Sequence, residues 1–191
     1  MLAKTHRAFG FAALTGTLAL TYEKWELLMA PVLQGDRLAT CFQIGVTVMG
    51  GLLGSTLPDI DQKLGGTHRG ITHAIWIPLL LFGSALFGIP RLPISLLNKE
   101  YAFGFLFGLA LGWLSHLIGD AFSTAGIAWF YPIGAYRRYP SGAFTVKGAR
   151  GPFQPIYRVG DRKWWLMRPI WWIVGCAFLI PIGKFLFPYL R

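Results

Sequence analysis

The sequence predicts an all-α, polytopic integral membrane protein with about five transmembrane helices, since spanning takes roughly 17–25 apolar residues. Three observations point that way. Of the 191 residues, 54% are hydrophobic and only 14% charged, against about a quarter charged in soluble domains. Mean hydropathy is +0.49. The apolar residues fall in runs rather than in an amphipathic period: Ala8–Tyr22, Ala39–Leu57, Ala74–Ile89, Tyr101–Ile118 and Ile170–Leu190.

The first run follows Lys4 and Arg7, as in a secretory signal. No small-x-small cleavage site precedes Glu23-Lys24, so it reads as an uncleaved first span. The second run ends at Pro58, which breaks a helix. The first and third are short and need flanking residues to cross. The fourth ends in a histidine and an aspartate, and the fifth is weakened by Pro181 and Lys184, so it kinks or lies along the interface. One membrane domain over 1–191 suffices, with a four-helix core over 1–133, a basic interfacial segment over 134–169 and a last helix over 170–191. Cys41 and Cys176 lie inside apolar runs, away from every polar motif, which argues against a disulfide framework or a thiolate metal site.

Glycines predict which spans are neighbours. Gly50 and Gly54 in the second run face a series of fours, Gly104, Gly108 and Gly112, in the fourth, and small residues at that spacing permit close helix approach in membranes.

Net charge is +10, from 18 Lys+Arg against 8 Asp+Glu. With a cytoplasmic N-terminus, twelve of the 18 basic residues fall on the cytoplasmic side, as the positive-inside rule requires. Eight of them lie between Gly134 and Pro169, among Tyr136, Tyr139, Phe144, Phe153, Tyr157, Trp164 and Trp165. Basic residues with aromatics suit the headgroup level of a bilayer and would favour anionic lipid headgroups. The same mixture suits single-stranded nucleic acid, but a bilayer surface already requires it, so nucleic acid is not expected as a partner.

The ionisable residues are more informative than the apolar ones. Counting crossings, His6, Asp59, Asp61, His68, His73, His116 and Asp120 all fall at one membrane face, whichever face that is. His116 and Asp120 are four apart, which puts them on one side of a helix. Asp59 and Asp61 converge from a turn after Pro58, near the end of a helix whose macrodipole they oppose. Thr72 is placed to N-cap the third span, with His73 in its first turn. Imidazole and carboxylate without thiolate fit zinc, with manganese or iron as alternatives, better than calcium. A catalytic zinc commonly takes three protein ligands and a water. Seven candidates exceed that need, so either two ions share the site or some residues position ligands and move protons.

The ordered set Thr5-His6, Leu57-Pro58-Asp59-Ile60-Asp61, His68-Arg69-Gly70-Ile71-Thr72-His73, and His116-Leu117-Ile118-Gly119-Asp120 with Thr124-Ala125-Gly126 resembles the YdjM-type family of LexA-regulated, membrane-bound metal-dependent hydrolases. The resemblance covers roughly residues 1–135. It implies a bacterial inner-membrane protein, and the family pattern falls on the same seven residues.

The expectation is a hydrolase with its metal site at the cytoplasmic face, acting on a phospholipid or another lipid-linked phosphoester. His6, Asp59, Asp61, His73, His116 and Asp120 are the candidate ligands for one or two ions. His68 and Asp61 are candidates for proton transfer, and Arg69, Arg137 and Arg138 for holding an anionic substrate. A divalent-metal transporter or sensor, or a structural protein tied by a metal, would use the same ligands. Transport sites sit near the bilayer midplane, whereas these residues lie at span ends. Oligomeric state is not encoded in any motif.

Overall fold

The structure, a computed structural model, describes residues 6–17, 37–63, 70–123, 126–133, 136–138, 144–146, 168–177 and 180. Helix α1 covers 6–17 and α2 covers Arg37–Gly54. A 3-10 turn at Leu57–Asp59 leads into the single-turn α3, Ile60–Lys63. A second 3-10 turn, Ile71–His73, precedes α4, Trp76–Gly83, which continues as a π-helical turn over Ser84–Gly88 and a 3-10 turn over Ile89–Arg91. The longest helix, α5, runs Leu96–Ala121, and α6 covers 168–177. Apart from turns and connecting stretches, the described residues are helical, with one small antiparallel ribbon, β1 (Tyr136–Arg138) paired with β2 (Phe144–Val146). This ribbon lies in the basic segment, which the hydropathy pattern left without an element.

Local chemistry sets the helix ends. Ser95 caps α5, its Oγ accepting from the Asn98 backbone N–H at 3.3 Å, so the helix begins five residues before the apolar run. At the end of α2, Ser55 Oγ donates to Leu52 O at 2.8 Å and Thr56 Oγ1 to Leu53 O at 3.1 Å. The Ser55 hydroxyl thus takes up a carbonyl near the helix end, and Thr56 meets the Leu53 carbonyl with both its hydroxyl and its backbone N–H. Pro58 then sits at the start of the 3-10 turn, where its missing N–H costs nothing. Asp59 and Asp61 therefore occupy first turns of new short helices rather than the tail of α2. Pro78 is accommodated in the first turn of α4 for the same reason.

Helices α2 and α5 pack backbone against backbone, as the glycine spacing predicts. A Cβ added at Gly108 would stand 2.0 Å from Thr47 O, one at Gly112 2.0 Å from Gly51 O, and one at Gly54 2.1 Å from Leu109 O. No side chain fits at these three crossings. Helix α1 lies across the same pair: Gly10 faces Ser55 and Ser115, and Leu14 packs on Gly51. Helix α6 covers the other side of α1, with Trp171 edge-on to Phe9 and Gly175 against Phe11. Beyond α5, the chain turns at Gly126, whose φ of 64° favours glycine. It returns over the start of α4, where Ile75 N donates to Trp129 O at 2.8 Å. Leu117, Ala121 and Ile127 form a small buried cluster there, with Trp113 and Trp129 against it.

Among the described residues, Asn98–Ala121 is long and apolar enough to cross a membrane, and Trp76–Arg91 forms a shorter apolar helix. Large apolar side chains face outward, among them Leu80 at 67%, Phe87 at 64% and Ile173 at 67% exposure.

Candidate metal centre

Three elements meet at one end of the α2–α5 pair: the turns after α2, the 3-10 turn before α4, and the last turns of α5. The i, i+4 spacing of His116 and Asp120 places both on the inner face of α5, and both are buried. The 3-10 turn at Ile71–His73 delivers His73, fully buried, from the opposite side. The turn at Pro58 delivers Asp59, whose side chain keeps 18% of its surface exposed.

Asp59, His73, His116 and Asp120 each offer one ligand atom, and all four atoms lie within 4.8 Å of one another. Five of the six separations are short. His116 Nε2 is 3.3 Å from His73 Nε2, 3.5 Å from Asp59 Oδ1 and 3.8 Å from Asp120 Oδ2. His73 Nε2 is 3.6 Å from Asp120 Oδ2 and 3.8 Å from Asp59 Oδ1. Donors about 2.0–2.1 Å from a tetrahedral ion stand roughly 3.3–3.4 Å apart, so the group is a slightly expanded version of such a cage. Donor type agrees with spacing: two imidazoles and two carboxylates can bind a divalent metal.

The backbone orients one of the imidazoles. His116 Nδ1 lies 2.9 Å from Ser55 O. A carbonyl only accepts, so Nδ1–H donates, and the Nε2 lone pair of the neutral ring points into the cluster.

His6 and Asp61 border the group on two sides. The His6 ring stacks on His116 with centroids 3.8 Å apart. Its Nε2 is 3.3 Å from Asp120 Oδ1, the carboxylate oxygen that faces away from His73. His6 Nδ1 is buried without a hydrogen-bond partner. Burial pushes the His6 imidazole below its ordinary value, against the opposing pull of the Asp120 carboxylate. Asp61 lies behind His73: its Oδ2 is 3.5 Å from Nδ1, whereas Asp59 stands on the Nε2 side.

Of the seven residues that crossing parity assigned to one face, the structure thus brings six together. His68 and Arg69 lie outside the described residues. Arg137 and Arg138 lie in β1, opposite Thr145 and Phe144. The placement of Thr72 corrects the reading from sequence: α4 starts at Trp76 with Ile75 before it and no side-chain cap. The Thr72 hydroxyl instead contacts Asp61 and His73. Ser55, Thr72 and Trp113 were not singled out for the site from sequence. Thr72 reads there only as a helix cap beside His73, and Trp113 leaves the trace of lying three residues before His116 and so on the same side of α5.

A family model described as YdjM inner membrane protein matches residues 1–186. No curated protein and no solved structure matches the chain.

Proposed function

The chain belongs to the YdjM inner membrane protein family, and on that premise we propose that it is a multi-pass, membrane-embedded, metal-dependent hydrolase of the bacterial inner membrane, with its site at the cytoplasmic face. The observation that carries this reading is the convergence of Asp59, His73, His116 and Asp120 at 3.3–3.8 Å. Two imidazole Nε2 atoms and two carboxylate oxygens gathered in a buried space repel one another unless a cation or shared protons lie among them, and a divalent ion would satisfy all four at once. Zinc suits the donors and their spacing best, and manganese or iron are the alternatives.

In this reading those four residues hold the ion, and Asp120 reaches from it to His6 through its second oxygen. A bound divalent ion would acidify a water and polarise a phosphoryl or acyl oxygen. Asp59, the most open of the four, marks the side from which substrate and water enter. Asp61 holds His73 from behind and is the candidate to receive a proton. His68 and Arg69, seven to eight residues after Asp61 in sequence, are assigned proton transfer and anion binding. Arg137 and Arg138 are the candidates for an anionic headgroup. A site at span ends beside a basic, aromatic segment favours a phospholipid or other lipid-linked phosphoester. The outward-facing Leu80, Phe87 and Ile173 fit lipid contact on several helices.

The test is phosphodiester and phosphomonoester hydrolysis by metal-loaded protein in lipid micelles, with His116→Ala as the control. Turnover lost in the variant supports the reading. Turnover on lipid esters or amides alone, equally dependent on His116, would reject the phosphoester substrate. The full burial of His73 and His116 favours one competing reading, a structural tie among α2, α4 and α5. A tie predicts metal-dependent stability without turnover on any of these substrates.

A further inference from the structure

Thr72 stands between a carboxylate and a candidate ligand. Its Oγ1 donates to Asp61 Oδ2 at 2.7 Å and lies 3.0 Å from His73 Nδ1. A hydroxyl has one proton to give. An ionised carboxylate only accepts, so that proton goes to Asp61, and the contact with His73 is filled by Nδ1–H donating to Thr72 Oγ1. The neutral ring then carries its lone pair on Nε2, the atom 3.3 Å from His116 Nε2 and 3.6 Å from Asp120 Oδ2.

The turn that carries Thr72 is itself held from α5. Trp113 Nε1–H donates to the Thr72 carbonyl at 2.8 Å, one helical turn before His116. The helix that supplies His116 and Asp120 therefore also sets the backbone that supplies His73. Ligating histidines generally donate their second N–H to a partner that fixes the ring and raises its basicity. For His116 that partner is Ser55 O; for His73 it is a hydroxyl backed by a carboxylate.

We infer that Thr72 is a positioning residue of the metal centre, its hydroxyl coupling Asp61 to His73 and holding the His73 ring with Nε2 toward the ion. This rests on the metal reading proposed above. Asp61 then acts on the centre through Thr72 as well as by its own proximity to Nδ1. Neither the hydroxyl nor the indole of Trp113 is among the four candidate ligands.

The experiment measures zinc affinity by competition with a chromogenic chelator, and the visible spectrum of the cobalt-substituted protein, in wild type, Thr72→Val, Thr72→Ser and Asp61→Ala. Thr72→Val keeps the shape of the side chain and removes the hydroxyl. It is expected to weaken zinc binding roughly 10- to 100-fold, the usual range for such outer partners, and to alter the cobalt spectrum. Thr72→Ser restores both. Combining Thr72→Val with Asp61→Ala costs less than the sum of the two, because they break one chain. Wild-type affinity and spectrum in Thr72→Val would overturn the inference while leaving the metal centre standing. No zinc binding by wild type would overturn both. The nitrogen shifts of the His73 ring in metal-free wild type decide the matter even if the variants fail to fold: a ring protonated on Nδ1 supports the relay, and one protonated on Nε2 contradicts it.

Discussion

His73 and His116 reach the same point from different elements, their Nε2 atoms 3.3 Å apart although 43 residues separate them in sequence. Ser55 O holds the far side of the His116 ring, and the Thr72 hydroxyl holds that of His73. Two imidazole nitrogens so placed, beside Asp59 and Asp120, form a group that could hold a divalent cation.

Removing that cation should loosen the fold. Chelation of metal-loaded protein is expected to lower the thermal unfolding midpoint in detergent, because the ion binds the folded chain in preference to the unfolded one. At a free metal concentration 100 times Kd the stabilisation amounts to about 2.7 kcal/mol. His116→Ala protein should show no shift on chelation, and an equal shift in both proteins would place the stabilising ion elsewhere.

Acid should destabilise the metal-free protein through His6. Its folded imidazole is held below the ordinary value of 6.5 by burial, so the unfolded chain binds a proton more readily than the folded one. The stability tied to this group is complete above about pH 6.5 and is lost as pH falls through the folded value. The unfolding midpoint of metal-free wild type should therefore drop between pH 7 and pH 5, and His6→Phe, which keeps a ring against His116, should drop less. Identical pH profiles would remove His6 from the acid response.

The α2–α5 crossing should tolerate no side chain. Gly108→Ala would put a methyl group 2.0 Å from Thr47 O, and overpacking of this kind costs about 1–3 kcal/mol. Because the crossing aligns Asp59 with His116 and Asp120, the variant should lose metal affinity together with stability. Gly83→Ala is the control, since nothing lies within 4 Å of a Cβ there and its backbone is already helical; it should keep wild-type metal affinity and be no less stable, with a gain of about 0.4–1 kcal/mol expected from helix propensity.

What the sequence disclosed was what local spacing encodes. Glycines at intervals of four, and a histidine four residues ahead of an aspartate, keep their meaning in any straight helix, so the α2–α5 contact and the His116–Asp120 pair were both legible. Crossing parity brought His6 and Asp59 to the same face without any knowledge of packing. Thr72 was misread because a threonine just ahead of an apolar run fits a helix cap; its true partner, Asp61, is 11 residues away and is brought near only by folding. The Ser55 carbonyl was invisible for a stronger reason, since a backbone oxygen leaves no mark on residue identity. The β1–β2 ribbon has three-residue strands in a charged segment, too short for alternation to register.

Elemental analysis of detergent-purified protein tests the metal centre most directly, comparing wild type with Asp59→Ala and His116→Ala. These two residues come from different elements, and their ligand atoms lie 3.5 Å apart. A shared centre predicts stoichiometric divalent metal in wild type and its loss from both variants, with each variant still folded. Absence of metal from wild type, even after reloading with zinc, manganese or iron, would contradict it and leave the four side chains as a hydrogen-bonded cluster.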